Sequence, residues 1–283
     1  MLLCHNGCDI PYYNSQDFTV LSVIGFGGSA LVYTAYWKTT QIKLAIKQFA
    51  EGSTKEMILN EVYLMGIMRK TGDFHPNIIR FHGIMNLNDE TNYELILEYA
   101  DGGTLGKYLK DNAISFDWES QLKFAKEIAI KLSDFGCSCL QGSVTKAARG
   151  VIGVIPYMDP KIFENPLYDF TKKSDIYSLG VLFWELTSRS SPFNFETTDD
   201  TSIQIEILKG LRENHISTTN DVFVKIYQKC WEHEPDDRPD IDLIVSELNN
   251  IGHFNHKELE ESEINEELEL YDDFSGCDVK LYY

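Results

Sequence analysis

FTVLSVIGFGGSALVYTAYW, residues 18–37, reads as strand, glycine turn, strand. Val20, Leu21, Val23 and Ile24 favour extended backbone before the turn, and Leu31, Val32 and Tyr33 favour it after. The glycines Gly25, Gly27 and Gly28 therefore lie between two strands, whereas a dinucleotide fingerprint needs them to open a helix. Glycines in such a turn let backbone N–H groups approach phosphates without side-chain obstruction. Taken alone, the turn is better read as a plain glycine-rich hairpin, and Ala30 stands where a third spaced glycine would fall.

The next segment, LAIKQFA (44–50), is a short apolar strand carrying Lys47. Burying an ammonium is costly without an anionic partner. Glu61 is the candidate, on a helix predicted over Thr54–Lys70 from Ile58, Val62, Met65 and Met68 at three- and four-residue steps. Asn92–Ala100 reads as a buried strand, and Asp101-Gly102-Gly103 as a flexible break. Helical periodicity then dominates, in Trp118–Ala129, Ile176–Leu186, Val222–Trp231 and Ile241–Leu248. Strands first, then helices, with a glycine hinge between, describe an α+β bilobal protein.

Composition sets outer bounds. The 283 residues suffice for one large core or two lobes. A formal charge of −19 argues against nucleic acid as a partner, because phosphate backbones are held by clustered Lys and Arg. Much of that charge falls after Lys257, and residues 252–283 are expected to form an acidic, disordered tail. Among the six cysteines, neither Cys4 and Cys8 nor Cys137 and Cys139 have His or Cys partners at zinc spacing, so free thiols in a reducing compartment are expected. The first residues lack the basic flank and apolar run of a signal peptide. No stretch approaches the ~20 apolar residues of a membrane span, and a cytoplasmic or nuclear location is the default expectation.

With Gly25-Phe26-Gly27-Gly28, Lys47 and Glu61 in order, the sequence resembles the protein kinase family, whose strand lysine holds nucleotide phosphates and pairs with a helix glutamate. The resemblance continues through His75-Pro76-Asn77-Ile78-Ile79, the hinge-like Glu98-Tyr99-Ala100, and Leu97 at the gatekeeper position. Further along come Asp134-Phe135-Gly136, Ser174-Asp175-Ile176-Tyr177-Ser178-Leu179-Gly180, Cys230-Trp231 and Pro235-Asp236-Asp237-Arg238-Pro239. The motif style is nearest the tyrosine-kinase-like Ser/Thr group. The resemblance implies a bilobal kinase-like domain over 17–251, with an N-lobe at 17–100, a C-lobe at 101–251 and a lead at 1–16. It implies ATP and Mg²⁺ as ligands and proteins as partners or substrates. Lys47 and Glu61 would form the catalytic pair and Asp134 would hold metal. Ile24, Gly25, Phe26, Gly27, Gly28, Val32, Ala45, Lys47, Glu98 and Ala100 would surround the nucleotide. Ser143 and Thr145 fall where the family places activation-loop phosphorylation sites, and serve equally as ordinary polar loop residues.

One family element is missing. A H-R-D-x-x-x-x-N loop belongs between the helix at Trp118 and Asp134, yet only Ile130–Ser133 separate Ala129 from Asp134. The interval is short by roughly 30 residues relative to a usual kinase. It takes with it the base Asp, the Asn for a second Mg²⁺ and the floor of the adenine site, and leaves Asp134 little chain with which to reach the nucleotide. Asp175, whose family counterpart braces that loop, loses its usual client. Lys161 replaces the glutamate of the family's Ala-Pro-Glu, so the ion pair expected at Arg238 is lost or replaced. Three readings follow: an impaired kinase homologue acting as a nucleotide sensor or scaffold, a deletion form or imperfect gene prediction of an active Ser/Thr kinase, and a working kinase with a rerouted base.

Overall fold

The computed structural model describes residues 10–26, 30–38, 40–50, 53–70, 79–86, 93–111, 116–130, 153–165 and 167–262. These divide into two compact units, one running to Gly103 and the other starting at Thr104.

Among the described residues the first unit is a six-stranded sheet with one α-helix. Strands β2 (Phe18–Phe26), β3 (Ala30–Trp37) and β4 (Lys43–Phe49) form an antiparallel meander. Strand β6 (Tyr93–Glu98) pairs antiparallel with β4 and with β5 (Phe81–Asn86), and a two-residue strand β1 (Tyr12–Tyr13) joins β5 in parallel. The order across the sheet is β1-β5-β6-β4-β3-β2. Period-two alternation sorts the side chains. Ala45, Leu95, Leu97, Phe81 and Ile84 form one face with Ile58, Val62 and Met65 of helix α1 (Lys55–Lys70) packed on it. Leu44, Ile46, Ile96, Ala35, Phe18 and Met85 form the other.

That second face holds a carboxyl among hydrocarbon. Glu94 is buried, accepts a hydrogen bond from Tyr33 Oη at 2.5 Å through Oε2, and has no partner for Oε1 among the described residues. Burial raises its pKa above the ordinary glutamate value, and the Tyr33 bond offsets this only in part. Burial and the adjoining Glu94 likewise raise that of Tyr33. A carboxyl whose folded value is raised keeps its proton more readily folded than unfolded. Its contribution to stability therefore falls as pH rises from about 4.3, the unfolded value, through the folded one, and stays reduced above. We expect Glu94→Gln to flatten this dependence: in urea unfolding between pH 5 and 8, its stability relative to wild type should climb with pH. Parallel profiles would show that Glu94 does not titrate in this window.

The second unit is helical. It contains α2 (Leu105–Asp111), α3 (Trp118–Ile130), α4 (Pro160–Glu164), α5 (Lys172–Ser188), α6 (Asp200–Leu208), α7 (Asp221–Cys230) and α8 (Ile241–Ser262). Helix α5 is the axis. A capping box of Thr171 and Ser174 starts it, Arg189 in the left-handed conformation (φ 55°) ends it, and most of its residues are buried. Gly180 lets α7 come close, since a Cβ there would lie 2.7 Å from Cys230 Cβ. Asn220 caps α7 through Val222 and Phe223 N–H, and Asp199 caps α6 through Ser202 N–H.

The boundaries differ from the sequence reading in three places. Strand β1 falls inside the expected lead at 1–16, and the single turn Ser15–Asp17 spans its end. Helix α8 continues to Ser262, past the last periodic residue and into the expected tail. Strand β5, too short to stand out in sequence, supplies the pairing edge for β1. Among the described residues no helix is long and apolar enough to cross a membrane.

Candidate nucleotide site

Strand β4 delivers the central residue. Ala45 and Lys47 alternate onto the face that α1 covers, and register sets Lys47 between Val32 of β3 and Leu95 of β6, with Ala45 beside Leu97. The ammonium of Lys47 meets Glu61 Oε1 at 2.7 Å, with the lysine side chain 10% and the glutamate 2% exposed. Phe49 lies near the ammonium, 5.7 Å from Nζ to ring centroid. An ion pair this buried spends much of its Coulombic gain on desolvation, so its effect is to fix α1 against β4 more than to add stability.

Gly25 stands opposite Val32, on the same side of the sheet as Ala45 and Lys47. Ile24 falls at the register shift between Val23 and Gly25 and is exposed. At the end of β6, Glu98 N–H donates to Arg80 C=O at 2.9 Å and Glu98 Oε2 accepts from Arg80 N–H at 3.1 Å, so the segment entering Tyr99 and Ala100 is tied at both levels. The Lys43 ammonium sits 3.9 Å above the Tyr99 ring, and Ala100 is buried. The geometry thus gathers Gly25, Val32, Ala45, Lys47, Glu61 and Leu97 on one face of the first unit. Gly27, Gly28, the Phe26 side chain, Asp134, Ser143, Thr145 and His75–Ile78 lie outside the described residues.

The second unit carries a polar hub that sequence reasoning missed. Arg238 is fully buried and uses all five N–H donors. Nη1 and Nη2 grip Asp159 Oδ2 and Oδ1 at 2.8 Å each, and the remaining bonds go to the carbonyls of Glu232, Lys173 and His233. Asp159 also accepts from Ser174 Oγ (2.8 Å) and from Lys161 N–H (3.0 Å), capping α4. Burial alone would raise the Asp159 carboxyl, but the Arg238 bonds and charge, with Lys161 N–H and Ser174, hold it below the ordinary range. The arginine's anion thus comes from two positions upstream of Lys161: the expected pair is replaced, and Lys161 turns to Glu164 and Glu234 (2.9 and 2.6 Å). Aspartate followed by proline at a helix start was the available signal.

Elsewhere in this unit Glu185, with its carboxyl raised by burial, accepts from Tyr157 Oη at 2.9 Å. Asp175 is exposed and makes no hydrogen bond among the described residues.

Comparison with known proteins agrees with this arrangement. Residues 18–130 and 126–248 match the family described as protein tyrosine and serine/threonine kinase. Mitogen-activated protein kinase kinase kinase 7 of Drosophila melanogaster is 27% identical over 273 residues, covering 85% of this chain and 38% of the relative. Serine/threonine/tyrosine-protein kinase HT1 of Arabidopsis thaliana is 25% identical over 257 residues, 78% of this chain and 63% of the relative. Dual specificity protein kinase splA of Dictyostelium discoideum is 25% identical over 287 residues, 84% of this chain and 12% of the relative. The chain spans less than two thirds of the length of each. With the family matched across both units, and with a bilobal α+β fold of sheet and helices, this chain belongs to the protein tyrosine and serine/threonine kinase family.

Proposed function

We propose that this chain is a kinase-family module that retains a nucleotide-binding first unit, is impaired in phosphotransfer, and serves as a pseudokinase-type sensor or scaffold for protein partners. In this reading Val32 and Ala45 lie against the adenine, and backbone groups of Glu98 and Ala100 read its edge. Lys47, held by Glu61, meets the phosphates beneath Ile24, Gly25, Phe26, Gly27 and Gly28, and Asp134 takes Mg²⁺. The buried Lys47–Glu61 pair beside a small, fully buried Ala45 supports the fit of ATP. When bound, ATP supplies a transferable phosphoryl group; the chain's own residues orient it and neutralise its charge. Partners are proteins, neither nucleic acid nor membrane, and residence is cytoplasmic with the nucleus open.

The observation that carries impairment is the four-residue interval between Ala129 and Asp134, with no His-Arg-Asp or Arg-Asp anywhere in the sequence. Phosphoryl transfer is chiefly positioning and charge neutralisation, and the missing Asp is the group that orients an acceptor hydroxyl. The test is thermal unfolding against Mg-ATP: a ligand at 100 times its Kd stabilises the folded state by about 2.7 kcal/mol. A dose-dependent rise, abolished in Lys47→Met, is expected. No rise in wild type would remove the nucleotide-sensing reading.

A second reading is favoured by the alignments. The family match is split at residues 126–130. The 273-residue alignment with the Drosophila kinase uses only 85% of this 283-residue chain, so roughly thirty positions filled there are empty here. That is the size of the missing loop, and supports a deletion form or gene-model variant of an active Ser/Thr kinase. Sequencing the transcript decides between them: an in-frame segment of this length with His-Arg-Asp favours the second reading, and a continuous transcript the first.

A further inference from the structure

The segment before β2 engages both faces of the sheet. Ile10 packs on the core that α1 shares with β4, β5 and β6, while the Tyr13 ring stacks edge-on with Phe18 and Trp37 on the opposite face (centroids 5.9 and 5.6 Å). Between them the backbone is fixed: Ile84 N–H donates to Pro11 C=O at 3.0 Å, and Tyr12 and Tyr13 lie in register with Ile84 and Met85. The turn Ser15–Asp17 then closes on β3, where Lys38 N–H donates to Asp17 C=O at 2.8 Å. The sheet makes room for this crossing. Gly83 has φ +157°, and a Cβ there would come 2.3 Å from the Pro11 carbonyl oxygen and 2.9 Å from the Tyr13 ring. A backbone oxygen cannot step aside as a side-chain tip can, so a glycine at this point is what lets the segment lie down.

We propose that Ile10–Asp17 is a positioning strap for helix α1: by sealing the edge of the core beneath α1, it holds Glu61 in register with Lys47. The helix meets the sheet through Ile58, Val62 and Met65, and the Lys47–Glu61 pair contributes orientation more than net stability. Releasing Ile10 opens the same apolar cluster to water, and the element resting on that cluster loosens before the meander does, because β2, β3 and β4 are cross-paired along their lengths. The consequence for ligand binding rests on the proposed role of Lys47 and Glu61; the mechanical claim does not.

The test is amide hydrogen exchange of the full chain, comparing wild type with Ile10→Ser, which loosens the strap alone, and Gly83→Ala, which blocks its seat. Ile10→Val is the conservative control. The expected result is exchange of α1 amides (55–70) accelerated about tenfold in both variants, β3 and β4 unchanged, and Ile10→Val at the wild-type rate. Unchanged α1 exchange in Ile10→Ser overturns the proposal and leaves the segment an edge cover. Equal acceleration throughout the first unit also overturns it, making the segment a general stabiliser. A parallel Mg-ATP melt separates the two claims. If wild type shows no nucleotide shift, the ligand reading fails, while the exchange data still decide the strap.

Discussion

Arg238→Ala is expected to lower the unfolding free energy by about 3–5 kcal/mol, the cost of breaking a buried ion pair from one side. The substitution leaves Asp159 buried and charged with only Ser174 Oγ and Lys161 N–H to satisfy it, and strands the carbonyls of Glu232, Lys173 and His233. Arg238→Lys should not rescue, because an ammonium offers three donors where five are in use and lacks the planar two-nitrogen fork that matches the carboxylate. Urea titration with an unchanged m-value measures the loss. A change below about 1 kcal/mol would mean the hub is no more than a surface-grade pair. The same pair dictates acid sensitivity. With the Asp159 carboxyl held low in the fold, its contribution is present above the ordinary aspartate value and is lost as pH falls through the lowered one.

Phe223→Ala is expected to cost a comparable amount, about 3–5 kcal/mol, the range for deleting a buried phenyl ring. Its side chain is fully buried and meets Trp118 of α3, Phe183 of α5 and Tyr227 of α7, with centroids at 5.5, 5.3 and 5.9 Å. Trp118 opens α3, so the Phe223 ring ties the start of that helix to α7. Phe223→Leu, which refills most of the volume, should recover more than half of the loss. Equal losses in the two variants would point to ring geometry rather than cavity volume as the cause.

The sequence announced what depends on local pattern. Alternation in β2–β4 and the three- and four-residue steps of α1 are properties of one segment at a time, and Lys47 in an apolar strand named its own need for an anion. The proposal that Val32 and Ala45 face a nucleotide comes from the family resemblance, and strand register sets both on the face that carries Lys47. What stayed hidden depends on distant chain. Tyr12–Tyr13 reads as part of the lead until β5 supplies an edge, and Gly83 has no reason to be glycine until Pro11 arrives. Asp159 could be read as a helix cap, but its capture of Arg238 needs the two ends of 79 residues brought together. Glu94 is an ordinary strand glutamate in sequence; only the packed sheet shows it buried with Tyr33.

In the proposed reading an acceptor hydroxyl has nothing to orient it. Positioning and general-base groups are each commonly worth about 10² to 10⁴ in rate, so a chain without the loop should leave a generic protein acceptor unlabelled. Incorporation of radiolabelled γ-phosphate from Mg-ATP into such an acceptor, and into the chain itself, tests this directly. No signal above a Lys47→Met control is expected. Sustained incorporation that the Lys47→Met variant abolishes would contradict the proposed reading, by requiring another carboxylate within hydrogen-bonding reach of the acceptor.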